Sequence, residues 1–86
     1  MDENKTKLRN QIDVIDAQIL ALLKQRFEVA LKIGELKKEQ GAPVKDAKRE
    51  EEILKKVASV FSCDSQKECA VNIYKSIIKE CSNLQK

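Results

Sequence analysis

Residues 8–36 read LRNQIDVIDAQILALLKQRFEVALKIGEL, with no proline and a single glycine. Positions 8, 12, 15, 19, 22, 26, 29, 33 and 36 step by four and three throughout, the spacing of a heptad seam on one long α-helix. Along it stand Leu8, Ile12, Ile15, Ile19, Leu22, Arg26, Val29, Ile33 and Leu36, so one member of an otherwise apolar seam is an arginine. The pattern runs from Lys5 to about Glu39, and a helix of that length is a rod of about 45–50 Å.

Working outward, EQGAPVK at 39–45 ends the rod: Gly41 suits a helix C-terminal cap, and Pro43 disfavours helix for the residue before it. A second helix is expected over about 46–60. SCDS then makes a short connection in which Ser and Asp can serve as N-caps, and a third helix is expected over about 65–84. Its apolar stripe is Ala70, Ile73, Tyr74, Ile77, Ile78, Cys81 and Leu84. The chain of 86 residues thus reads as one all-α domain over 1–86, one long helix and two shorter ones. Two helices of about 15 and 20 residues span only about 22 and 30 Å, too little to cover the rod. A second copy of the chain is the economical partner for its seam, because like chains present like seams and two-fold closure is the commonest symmetry.

Composition narrows the function. Seventeen Lys+Arg against fourteen Asp+Glu leave a net charge of +3, too small and too interspersed for a nucleic-acid footprint. No apolar run approaches the roughly 20 residues of a membrane span, and MDENKTK at the N-terminus lacks the apolar region of a signal peptide, so a cytoplasmic location is expected. Cys63, Cys69 and Cys81 are odd in number, lack CxxC spacing and occur with no histidine. They suggest buried or half-buried thiols in a reducing compartment, neither a disulfide framework nor a metal site.

Several charges lie on inward faces. Arg26 interrupts the seam where a charge is expensive unless it is paired or holds a ligand; it either sets register against a carboxylate or binds an anion. Lys37 follows eleven residues later, about 20° around and about 16 Å along the helix, and can close on the same anion. Arg9 precedes Arg26 by seventeen residues, about 25 Å back and turned by about 100°, so it is a surface residue or, in an antiparallel dimer, part of the partner's site. Asp46, Arg49 and Glu50 share a helical face with Ile53 and Val57. They form either a first turn of ordinary ion pairs or one wall of a site. Gln85, one turn beyond Cys81, reads by spacing as a solvent-facing amide. With no histidine base, Ser/His pair or Gly-rich phosphate loop in the sequence, catalysis would have to work by electrostatics and positioning.

In order and spacing, Leu8-Arg9, Ile15-Asp16, Arg26, Gly34 with Lys37, and Pro43-Val44-x-Asp46-x-x-Arg49-Glu50, followed by IYKSIIKECSNLQ at 73–85, closely resemble the all-helical chorismate mutase family over nearly the whole chain. The resemblance implies an intertwined homodimer of three-helix chains that converts chorismate to prephenate without a cofactor. It also implies roles by position. Arg26 and the partner's Arg9 would hold the two substrate carboxylates, with Arg49 in support, and Lys37 and Gln85 would donate to the ether oxygen. Glu50 and the backbone near Asp46 would meet the substrate hydroxyl. Cys81 stands where relatives often carry a serine, and a thiol is a weaker donor to a carboxylate than a hydroxyl. The resemblance leaves two further readings, an isochorismate pyruvate lyase of the same fold and a non-catalytic helical dimer. It also leaves room for docking on another enzyme of the shikimate pathway.

Overall fold

The computed structural model describes residues 3–86; residues 1 and 2, which the single-domain expectation includes, lie outside the described residues. Three helices follow one another, α1 (Glu3–Gln40), α2 (Ala47–Val60) and α3 (Asp64–Gln85), and there is no strand among the described residues. α1 stops at Gly41, whose φ of 66° is the left-handed conformation that glycine adopts without a Cβ penalty. There the Ala42 N–H reaches back to the Lys37 carbonyl at 2.8 Å and the Gly41 N–H to that of Lys38 at 3.3 Å, the two bonds of a Schellman cap. Asp46 lies one residue outside α2 as its N-cap, and its Oδ1 accepts from the Arg49 backbone N–H at 3.1 Å.

α3 begins one residue earlier than the Ser/Asp reading of SCDS placed it. Its N-cap is Cys63, with no side-chain capping bond, and Asp64 is instead in the first turn, where a carboxylate complements the helix dipole. The Cys63 thiol lies below its ordinary value because Ser65 Oγ, 3.1 Å away, and the backbone N–H groups of Gln66 and Ser65 stabilise the thiolate. Cys63 and Cys69 are exposed, and only Cys81 is buried, so the expectation of hidden thiols holds for one of the three. Cys69 falls off the apolar stripe of α3, and Cys63 sits at the open head of the helix.

α3 packs against both α1 and α2, while α1 and α2 make no close backbone approach to each other. The face of α1 that meets α3 carries buried Ala30 and Gly34 with half-buried Leu23 and Phe27. That face is rotated by about 70° from the middle of the heptad seam. The apolar residues of the seam stay bare: Leu8 is 59% exposed and Leu22 63%, and every described residue before Leu23 is exposed. Among the described residues the buried apolar set is Ala30, Val57, Ile78 and Cys81.

The single chain is therefore long and thin, with extents of 59 × 26 × 15 Å, the longest set by α1. Its radius of gyration is 16.5 Å, against about 12 Å for a compact domain of this length. Its accessible surface is 7250 Å², against about 5,200 Å² expected of a folded monomer of the same mass.

Candidate active site

The break at Gly41 turns the chain so that the Val44 carbonyl, the first turn of α2 and the last turn of α3 surround the C-terminal half of α1. The cleft between them is lined by Arg26 and Lys37 from α1, by Asp46, Arg49 and Glu50 from the start of α2, and by Cys81 and Gln85 from α3. Seven of the eight residues singled out in the sequence thus share one cleft. Arg9, the eighth, is exposed on the same unbroken helix as Arg26, about 25 Å back along its axis.

Lys37 is the most constrained cation. Its Nζ donates to the Val44 carbonyl at 2.7 Å and to Gln85 Oε1 at 2.9 Å. An ammonium has three protons, so two bonds to protein hold the group in place and leave one donor for a ligand. Gln85, accepting through its oxygen, keeps its amide N–H groups to donate. The solvent-facing reading of Gln85 thus gives way to a half-buried side chain in the cleft, because α3 extends to that residue and lies hard against α1.

Gly34 permits that approach. A Cβ built there would stand 2.7 Å from Gln85 Cα and 2.9 Å from its carbonyl oxygen, too close for real atoms, so any side chain would push the end of α3 off α1. Gly34→Ala is expected to destabilise the protein by about 1–3 kcal/mol through this backbone clash. Urea unfolding at matched protein concentration checks it, and an unchanged midpoint would mean that α3 does not seat on Gly34.

Arg26 is half-buried, and its Nη1 donates to Cys81 Sγ at 3.0 Å. Among the described residues no carboxylate lies within ion-pair distance of it, so the register-setting reading with a carboxylate partner is not what the chain builds. Asp46 and Arg49 are exposed, and of the expected inward trio only Glu50 is half-buried. The reason is that α2 rests on α3 alone, so its first turn overlooks the cleft without being covered by α1. Arg49 Nη1 lies 3.8 Å from Glu52 Oε2, an exposed i,i+3 pair that holds the arginine only weakly. Three cations and two carboxylates leave the lining net positive, suited to a small anion.

Sequence reading missed the Val44 carbonyl, which fixes Lys37, and Ser82, which lines the cleft beside Cys81. A backbone acceptor has no residue-type signal, although Pro43 marked the turn that presents it. Ile53 and Ile78 supply an apolar wall. Beyond the cleft, an apolar groove continues from Arg26 between α2 and α3 past Val57, Phe61 and Tyr74, with Val60 and Ile73 open to solvent at 72% and 61%. Among the described residues there is no group of three or more potential metal ligands and no helix long and apolar enough to cross a membrane.

Residues 8–86 match the family model described as chorismate mutase type II. The whole chain is 39% identical to a stretch of the bifunctional chorismate mutase/prephenate dehydratase of Aquifex aeolicus and spans 25% of that protein's length. It is also 30% identical to the chorismate mutase of Methanocaldococcus jannaschii, of which it covers 88%. Among solved structures, a conserved hypothetical protein from Pyrococcus furiosus superposes with a TM-score of 0.81 at 37% identity, over 98% of this chain and 97% of that one.

Proposed function

The chain belongs to the type II chorismate mutase family, and from that premise we propose that its cleft converts chorismate to prephenate. The reaction is a unimolecular Claisen rearrangement in which one C–O bond breaks as one C–C bond forms, with no proton transfer and no cofactor. Its demands are to fold the enolpyruvyl side chain over the ring and to stabilise negative charge growing on the ether oxygen. The observation that carries the reading is the Lys37 ammonium, tied to Val44 and Gln85 so that one proton remains for a ligand. Lys37 and the Gln85 amide both donate to the ether oxygen, and because they are held before substrate arrives, little reorganisation is needed as charge develops.

Arg26 takes one substrate carboxylate, and Arg49, only loosely engaged with Glu52, swings in to support it. Glu50 and the backbone at Asp46 receive the ring hydroxyl. Cys81 lies beneath the carboxylate that Arg26 binds.

The second carboxylate falls to Arg9 of the partner subunit. A homodimer is supported by the bare seam of α1, by the open groove between α2 and α3, and by the surface excess. That excess is about 2,000 Å² per chain, so a closed pair would bury about 4,000 Å², within the range of obligate homodimers. Antiparallel pairing of the two long helices brings the N-terminal turns of one beside the later turns of the other. We place the enzyme in the cytoplasm. Relatives that join the mutase to prephenate dehydratase in one chain, as in Aquifex aeolicus, pair it with the enzyme that consumes its product. Docking on such an enzyme is consistent with that pairing.

The test is to incubate the protein separately with chorismate and with isochorismate and identify the products. Loss of chorismate absorbance with prephenate formation is expected. Pyruvate release from isochorismate without prephenate would establish the lyase instead, and no turnover of either substrate would leave only a structural dimer.

A further inference from the structure

Two rungs cross from α1 to α3 in the cleft: Lys37 to Gln85, and Arg26 to Cys81. Arg26 and Lys37 leave α1 about 16 Å apart, whereas Cys81 and Gln85, one turn apart on α3, are separated by only about 6 Å. The rungs therefore converge from α1 toward α3.

In the second rung the guanidinium has only donors, so the sulfur must accept. Cys81 is 3% exposed, which leaves little water to compete for it. We infer that Cys81 is a positioning residue for Arg26: its sulfur accepts from Nη1 and fixes the guanidinium that takes the substrate carboxylate, rather than itself donating to that carboxylate. The inference rests on the mutase reading of the cleft and deepens it. Anchoring matters because an arginine side chain has several rotatable bonds, and ordering them before the ligand arrives removes that cost from binding. It also explains why a thiol suffices at this position. Accepting from a cation uses the sulfur lone pairs, whereas donating to a carboxylate would call on the weak S–H.

Three variants separate the roles. Cys81→Ser keeps an acceptor, Cys81→Ala removes it, and Cys81→Val removes it while refilling the volume, so that Val replaces Ala if the smaller side chain fails to fold by thermal unfolding. With chorismate, Ala and Val are expected to raise KM by about tenfold and to lower kcat by no more than about threefold, while Ser stays within about twofold of wild type. The Arg26 side-chain ¹⁵N signals should report hindered rotation in wild type and Ser and free rotation in Ala and Val. A folded Val variant with wild-type KM and an unchanged Arg26 spectrum would overturn the inference, as would a Ser variant as impaired as Ala. If wild type does not turn chorismate over, the mutase reading fails, and the Arg26 spectra alone decide whether Cys81 positions it.

Discussion

Lys37→Ala is expected to lower kcat by about 10²- to 10³-fold, the scale set by removing one preorganised donor from a developing oxyanion. Two bonds, to Val44 and Gln85, hold the Lys37 Nζ. They pin the ammonium ahead of binding, so its energetic effect is concentrated in the transition state, where the ether oxygen carries most charge. KM should move far less than kcat, because the ground-state ether oxygen is a poor acceptor compared with the carboxylates held elsewhere. Lys37→Arg should not restore the rate: a planar guanidinium cannot occupy the compact position between a carbonyl and an amide oxygen. Steady-state kinetics with the helical content monitored by circular dichroism checks both. A Lys37→Ala enzyme within tenfold of wild-type kcat would remove Lys37 from the reacting centre.

Arg9→Ala and Arg26→Ala should each lose at least about 10²-fold in kcat/KM, yet a mixture of the two should regain activity. If each site takes Arg26 from one chain and Arg9 from the other, a hybrid dimer has one site with both arginines and one with neither. Equal mixing with subunit exchange makes half the dimers hybrid, so the mixture should reach about a quarter of wild-type activity. If both arginines of a site came from one chain, no combination would contain an intact site and the mixture would stay inactive. Arg9 and Arg26 lie on one unbroken helix, about 25 Å apart. Gel filtration of each variant against wild type checks that the oligomeric state is unchanged, since Arg9 is exposed and Arg26 is a charge whose removal from an apolar seam need not weaken the fold.

The relation between Lys37 and Gln85 shows where sequence reading stopped. Lys37 could be placed on the same side of α1 as Arg26 from helical geometry alone, because both residues lie on one element with a fixed rise and rotation. Gln85 could not be weighed that way. Its spacing, one turn beyond Cys81, favours an exposed amide, and only the docking of α3 on Gly34 turns it toward Lys37. Cys81 is a similar case. Its type was legible as a departure from the family's usual serine, but the direction of its hydrogen bond with Arg26 was not, since that depends on a residue 55 positions away. The Asp46/Arg49/Glu50 face was read as inward, and the chain leaves two of the three exposed because nothing from α1 covers the first turn of α2.

By itself the sequence determined the three helices and the break at Gly41, since hydrophobic periodicity, a glycine in the left-handed conformation and a proline act within a few residues of themselves; the head of α3, where Cys63 and not Ser or Asp is the N-cap, it did not. It also marked the apolar residues of the α1 seam, which the single chain leaves bare, and it placed Arg26 and Lys37 on one side of that helix. Tertiary structure decided which of those charges meet. The registry of α3 against α1 is set by a close contact at Gly34 and by two converging hydrogen bonds, and those are through-space distances between residues far apart in the chain. No local pattern encodes them.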